Sequence, residues 1–220
     1  MSLIVLKVGG AVAHDAAAAL DRLAGHDVVV VHGAGPQITE ELERRGLAVS
    51  FAGGRRVTDL ATLRVVHDVL LDVNAQLCAA IGARATGMSG HEIGLRAARI
   101  PRLGLVGDPL PSRPQAVVDA LAAGLVPVVA PLAEGPLNVN ADDAAAALAA
   151  GLGAERILFA TDVPGVLRDG AVVSRIAAGD AEILIADGEL AGGIVPKLEA
   201  AIRAARNGVQ AEIGVTAVVA

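Results

Sequence analysis

Two short stretches constrain the fold more than anything else in the chain: Leu3-Ile4-Val5-Leu6-Lys7-Val8 and Asp27-Val28-Val29-Val30-Val31-His32. Both are rich in β-branched and aliphatic residues at successive positions, without the apolar–polar alternation of a half-exposed strand. Each predicts a strand buried on both faces, and such strands need helices on both sides of a mainly parallel sheet. The first run stops at Gly9-Gly10 and the second at Gly33-Ala34-Gly35-Pro36. Helix-forming sequence follows each, from Asp15 to about Ala24 and from Pro36 to about Gly46. Two strand–glycine turn–helix units in succession point to an α/β protein, a three-layer αβα sandwich around a mainly parallel open sheet.

The later sequence varies this theme. Val49 to Thr58 sets Gly53-Gly54 beside Arg55-Arg56, which predicts a hairpin or flap. Leu60 to Ile81 carries Leu63, Val66, Leu70, Val73 and Leu77 at spacings of three and four, an amphipathic helix. Arg84 to Ile100 is glycine-punctuated and alternating, and predicts small antiparallel strands. A helix over Gln115–Ala123, a strand at Val126-Pro127-Val128-Val129, a helix over Ala144–Leu152 and a strand over Arg156–Ala160 follow. Asp162–Leu167 turns into a hairpin closed by Asp169-Gly170. Helices over Asp180–Ala186 and Ile194–Asn207 then lead to strand material over Ala211–Val219. No linker or repeat divides the chain, so residues 1–220 are read as one domain.

Composition narrows the function classes. Hydrophobic residues make up 54% of the chain and aromatics 1%, so Ala, Val, Leu and Ile must build the core. A formal net charge of -6 argues against nucleic acid as a partner. The near absence of aromatics also removes the stacking platforms that single strands use. Cys78 is the sole cysteine, which excludes a disulfide framework, and no Cys/His spacing resembles a zinc site. The N-terminus does not read as a signal peptide, and no run approaches the roughly 20 apolar residues of a membrane span. A soluble cytoplasmic protein with no membrane partner is expected.

Polar groups concentrate where predicted strands end. Leu137-Asn138-Val139-Asn140-Ala141-Asp142-Asp143 delivers two amides and two carboxylates to the mouth of an alanine-rich helix. Such groups are costly to bury unpaired and make sense facing a polar ligand at the carboxyl end of a sheet. Lys7 closes an apolar strand, a position that asks for an anion. With the amides of Gly9-Gly10 it would cradle phosphate oxygens, although a snorkelling lysine at an ordinary turn is the competing reading. Gly33-Ala34-Gly35 repeats the device before a helix that offers its positive end. Neither turn fits the G-x-x-x-x-G-K-[ST] loop or the G-x-G-x-x-G dinucleotide pattern. Arg55-Arg56 offers guanidinium forks for a carboxylate or phosphate, and Asp59 reads as a cap of the long helix. Lys197 sits in a helix's first turn, where the dipole disfavours a cation unless it reaches an anionic ligand. His32 reads as a strand-end histidine with a structural hydrogen bond.

As an ordered set these motifs resemble the amino-acid kinase family, and within it the N-acetyl-L-glutamate kinases. Lys7–Gly10, His32–Pro36, Gly53–Thr58, Gly87-Met88-Ser89-Gly90, Asn138–Asp142, Thr161–Leu167 and Gly192–Lys197 follow the family's order across nearly the whole chain. The resemblance implies transfer of the ATP γ-phosphoryl group to the side-chain carboxylate of N-acetyl-L-glutamate, the second step of arginine biosynthesis. It implies that Lys7 and Lys197 neutralise charge on the moving phosphoryl group and that Asp142 holds both lysines. Gly33, Ala34, Gly35, Arg56 and Asn138 would bind the substrate, Arg56 its α-carboxylate and Asn138 its amide portion. Gly9, Gly10, Asp162, Val163, Gly165, Leu167, Gly192 and Gly193 would bind nucleotide. Mg²⁺ would be held through the nucleotide phosphates, with no metal held by protein side chains. The half 1–135 would bind substrate and dimerise, and the half 136–220 would bind nucleotide.

The chain departs from the family pattern in four places. Ala34 replaces a usual glycine, and Arg55 stands where an apolar residue is usual. After Gly208–Ile213 the C-terminal end is shortened, so that Ile213-Gly214-Val215 runs almost directly into a last strand. No helix precedes Leu3; in the family that extension accompanies hexamers and arginine inhibition, so the resemblance implies an arginine-insensitive homodimer. Two alternatives stand beside the main expectation. One is a kinase for carrier-protein-linked aminoadipate or glutamate, for which Arg55-Arg56 would be a docking feature. The other is a catalytically inactive ligand-binding or regulatory homologue that lost nucleotide with its shortened end.

Overall fold

A computed structural model describes residues 2–9, 13–161, 163–168, 170–190 and 192–220, with backbone alone for 13–15. The chain runs from β1 (Leu3–Val8) through α1 (Ala13–Arg22) and β2 (Asp27–His32) to α2 (Gly35–Arg44). A hairpin of β3 (Phe51–Ala52) and β4 (Arg55–Arg56) precedes the long α3 (Leu60–Ile81). Next come β5 (Ala85–Ser89), α4 (Gly90–Ile93), β6 (Ala97–Arg99) and β7 (Val106–Pro109). After them stand α5 (Gln115–Ala122), β8 (Val126–Ala130), β9 (Leu132–Ala133) and β10 (Leu137–Val139). The remainder holds α6 (Ala141–Leu152), β11 (Arg156–Phe159), the pair β12 (Leu167–Arg168) and β13 (Ala171–Val172), and β14 (Arg175–Ala177). It closes with α7 (Ala178–Ala186), α8 (Ile194–Arg206), β15 (Gln210–Ile213) and β16 (Thr216–Val219).

The main sheet has eight strands in the order β14-β16-β15-β11-β1-β2-β8-β5. Its pairings are parallel except that of β15 with β16. Alternation along β1 and β2 explains why the two runs are apolar at every position. Val5, Val29 and Val31 enter one core with the alanines of α6 and α8, whereas Leu6, Val8, Val28 and Val30 enter another with Leu63, Val66, Leu70 and Leu77 of α3. Lys7 is in phase with Val5, on the α6 side. The alanine-rich composition has its use there: Ala144, Ala145 and Ala149 of α6 and Ala200, Ala201 and Ala204 of α8 are fully buried. Such small side chains let both helices lie close to the sheet and to each other.

Two expectations change, and one strand was not foreseen. Residues 84–100 do not form a set of antiparallel strands: β5 is the parallel edge strand of the main sheet, paired with β8, and only β6 is antiparallel, to β7. The polar stretch at Asn138 does not end a main-sheet strand. It ends β10, which belongs to a four-stranded satellite sheet of order β6-β7-β10-β9. β14, only Arg175-Ile176-Ala177, is too short to leave a pattern, yet it pairs parallel with β16.

From β1 the chain steps to β2 on one side and later to β11 on the other. The carboxyl ends of these strands therefore open onto a crevice at a topological switch point, the place where open α/β sheets bind ligands. Among the described residues no helix is long and apolar enough to cross a membrane.

Candidate active site

Lys7 is the penultimate residue of β1; its side chain is 7% exposed, and its Nζ lies 2.8 Å from Asp142 Oδ1. Lys197, in the first turn of α8, reaches Asp142 Oδ2 at 3.4 Å. Asp142 is placed by the start of α6, where Asn140 is the N-cap: its Oδ1 accepts from the amides of Asp142 at 2.8 Å and Asp143 at 3.1 Å. Asn140, to which the sequence assigned no role, therefore sets the helix end that aims the carboxylate. Two lysines share one carboxylate here, so the cluster keeps a surplus positive charge in a buried setting. Burial pushes the Lys7 ammonium below the usual lysine range; Asp142 opposes this and Lys197 adds to it. A second anion would relieve both effects.

Arg55 and Arg56 are neighbours on β4 and face opposite ways. Arg56 is 7% exposed; its Nη2 donates to Gly35 O at 3.2 Å and Thr39 Oγ1 at 2.7 Å, and its guanidinium lies 4.6 Å from the centre of the Phe51 ring. Its Nη1 is buried without a hydrogen-bond partner, and among the described residues it has no carboxylate partner. Burial pushes Arg56 below the usual arginine range. Arg55 instead donates from Nη2 to Asp108 Oδ1 at 2.6 Å and Asp143 Oδ2 at 2.9 Å. Burial works against its charge too, but the two carboxylates outweigh it and hold it above the usual range. Asp143, the second carboxylate of the polar stretch, is an ion-pair partner of Arg55 and Arg203.

A cavity of about 210 Å³ is lined by Lys7, Gly33, Ala34, Gly35, Arg55, Arg56, Asn138 and Asp142. That is below the ~300–1,000 Å³ of sites for drug-sized ligands and suits a small metabolite. A Cβ on Gly33 would come 3.9 Å from Lys7 Nζ, in the space before the ammonium. The Ala34 methyl is buried with the α3-side core. Asn138 Nδ2 donates to Thr58 Oγ1 at 3.0 Å, and Thr58 Oγ1 donates to Arg56 O at 2.8 Å. Thr58 is fully buried and ties β10 to the flap, a role its place in the Gly53–Thr58 motif did not reveal. His32 is also fully buried, and its Nε2 lies 3.1 Å from Asn74 Nδ2, in keeping with a structural role. Asp59 caps α3, accepting from Thr62 N at 2.7 Å.

The residues expected to bind nucleotide do not line this cavity. Gly10 and Asp162 lie outside the described residues. Gly9 follows the last residue of β1, and Val163 and Leu167 are exposed. Gly165 has a packing reason to be glycine, because a Cβ there would overlap Thr216 Oγ1. That hydroxyl accepts from Val166 N at 2.9 Å and donates to Val173 O at 2.6 Å. Near the C-terminal end a tight β15–β16 turn is laid directly on this loop, with Gly214 at φ 56° and Val215 N donating to Pro164 O at 2.9 Å. Thr216 was not singled out from sequence, since its partners are brought in by the turn. Gly192, at φ 72°, and Gly193 are exposed at the start of α8, whose N-terminus, like that of α2, lacks a side-chain cap.

The profile of the amino acid kinase family matches residues 2–214. The chain belongs to the amino acid kinase family. An acetylglutamate kinase from Rubrobacter xylanophilus is 44% identical over 226 residues, covering 97% of this chain and 88% of that protein. One from Jannaschia sp. (strain CCS1) is 40% identical over 229 residues, covering 96% and 80%. Among solved structures, smu.665 from Streptococcus mutans UA159 superposes with a TM-score of 0.89 at 28% identity, covering 99% of this chain and 98% of that one. The three-layer αβα architecture is thus that of the amino acid kinase family.

Proposed function

We propose that this chain transfers the γ-phosphoryl group of ATP to the side-chain carboxylate of N-acetyl-L-glutamate, forming N-acetyl-L-glutamyl 5-phosphate in arginine biosynthesis. One observation carries the reading: Lys7 and Lys197 converge on Asp142 beside a cavity whose lining includes the buried guanidinium of Arg56, which has no carboxylate partner among the described residues. The relatives that are acetylglutamate kinases support the choice of substrate.

Phosphoryl transfer asks for positioning and charge stabilisation more than for covalent chemistry. The substrate carboxylate is itself the nucleophile and needs no general base. It attacks the γ-phosphorus while the bond to the bridging oxygen breaks and ADP leaves. Lys7 and Lys197 would face the negative charge spread over the phosphoryl oxygens, held by Asp142 so that little reorganisation is needed. Amides of Gly33, Ala34 and Gly35 would donate to the reacting carboxylate, Arg56 would take the α-carboxylate and Asn138 the amide portion.

The nucleotide would lie against Gly9, Gly10, Asp162, Val163, Gly165, Leu167, Gly192 and Gly193. The uncapped start of α8 supports this, as an anion-binding helix end. Mg²⁺ would arrive on the nucleotide and neutralise phosphate charge. On this reading residues 1–135 would bind substrate and dimerise and residues 136–220 would bind nucleotide, with β1 of the first stretch pairing with β11 of the second. A cytoplasmic homodimer completes the reading, with the exposed Leu60 and Leu71 of α3 as apolar surface for the contact.

The carrier-linked alternative loses its main support, since Arg55 is engaged by Asp108 and Asp143. An inactive homologue is disfavoured by the assembled Lys7–Asp142–Lys197 cluster. The test is to incubate the purified protein with N-acetyl-L-glutamate and MgATP. ADP and a hydroxylamine-trappable acyl phosphate are expected; no product from a protein that binds ATP would sink the reading.

A further inference from the structure

Beside the phosphoryl site stands a second ionic cluster that the reaction does not use directly. Arg203 Nη1 donates to Asp108 Oδ1 at 3.0 Å and its Nη2 to Asp143 Oδ1, while Arg55 Nη2 bonds the same two carboxylates. The elements of the first site recur in the second. β4 carries Arg55 beside Arg56, α6 carries Asp143 beside Asp142, and α8 carries both Lys197 and Arg203. Asp108 belongs to β7, which pairs with β10 through Asn138 and Val106.

The flap needs such a tether. β3 and β4 have two residues each, pair among the described residues only with each other, and are joined by Gly53 and Gly54 at positive φ. An isolated two-stranded hairpin is marginal in water. Isolated surface ion pairs contribute little, but here the Asp143 side chain is 7% exposed and that of Arg55 22%. Arg203 forks over two carboxylates that Arg55 Nη2 bridges, so the four side chains form a network; without Arg203, whose side chain is 41% exposed, the largely buried Asp143 is left with Arg55 as its one arginine partner among the described residues.

We propose that Arg55 and Arg203, through Asp108 and Asp143, are positioning residues that latch the flap to α6 and α8. The ring fixes Arg56 relative to Lys197 and so couples the grip on the substrate carboxylate to the phosphoryl site. The substrate part of this inference rests on the acetylglutamate kinase reading; the latch itself does not.

Hydrogen exchange on the ligand-free protein tests the latch, with Arg203→Gln, Arg203→Lys and Asp108→Asn as variants. Flap amides over residues 50–57 should exchange about tenfold faster in Arg203→Gln, with α3 unchanged and Arg203→Lys between the two. Asp108→Asn should repeat the result and stands in if Arg203→Gln does not fold. In steady-state kinetics, Arg203→Gln should raise the KM for N-acetyl-L-glutamate about tenfold while the KM for ATP and kcat change less than about threefold. Unchanged flap exchange, or an equal rise in both KM values, overturns the proposal. If the wild-type protein does not phosphorylate N-acetyl-L-glutamate, the substrate reading fails, and the exchange experiment still decides the latch.

Discussion

Lys7 and Lys197, at opposite ends of the chain, meet on one carboxylate: Asp142 takes the first at 2.8 Å and the second at 3.4 Å. If both cations serve the moving phosphoryl group, either should matter more for turnover than for substrate binding. Lys7→Ala and Lys197→Ala are each expected to lower kcat by roughly 10²–10³-fold. The KM for N-acetyl-L-glutamate should move far less. ADP release at saturating substrate reads this directly, and a loss confined to KM would reassign the lysines to ground-state binding.

Arg56 should behave in the opposite way. Its guanidinium is buried with an unused Nη1, and its partners Gly35 O and Thr39 Oγ1 accept from Nη2 alone. A planar fork matches a carboxylate where an ammonium does not. Arg56→Lys should therefore weaken N-acetyl-L-glutamate binding about tenfold or more, with nucleotide affinity unchanged. Calorimetric titration with each ligand separates the two, and parallel losses for both would count against an α-carboxylate contact.

Much of this arrangement is legible in the sequence, for identifiable reasons. The doubly buried strands β1 and β2 declare themselves because both faces must be apolar, and Lys7 stands out as the one charge inside such a run. The Lys7–Asp142–Lys197 cluster is legible as motifs. What stays hidden depends on partners brought together by tertiary structure. Asp143 looks like any first-turn acid until β4 and α8 deliver Arg55 and Arg203 to it. Asn140 carries no chemistry in sequence beyond its amide, and becomes a cap only once α6 begins at Ala141. Thr216 is one threonine in a terminal strand until the β15–β16 turn sets it against Gly165.

The close packing on the α6 side gives a stability prediction. A Cβ on Gly151, within α6, would overlap the backbone N, C and O of Ser112, and backbone atoms cannot swing aside as a side-chain end can. The helix-propensity gain of Gly→Ala is at most about 1 kcal/mol, against roughly 1–3 kcal/mol for overpacking. The clash should win. Gly151→Ala is expected to lose up to about 2 kcal/mol net in urea unfolding. An unfolding midpoint equal to that of the wild-type protein would mean that the loop at Ser112 is free to move away.

His32 supplies a pH test with a definite sign. Burial pushes it from the ordinary 6.5 down to about 4; the Gly33 backbone opposes this and the Lys7 charge adds to it. Between those two values the unfolded chain binds a proton that the folded chain does not, so stability rises with pH across that window. Stability is therefore lost as the pH falls below 6.5 and the loss levels off near 4, for a total of up to about 3 kcal/mol from this group. His32→Gln removes the titration but also disturbs the contact with Asn74, so it should be less stable at neutral pH. Its urea midpoint should nevertheless fall less steeply on acidification than that of the wild-type protein. Carboxylates common to both proteins largely cancel in the difference between the two curves. Parallel curves would show that His32 is protonated in the folded state at mildly acidic pH, and would remove the burial argument for its role as a neutral hydrogen-bond acceptor from Asn74.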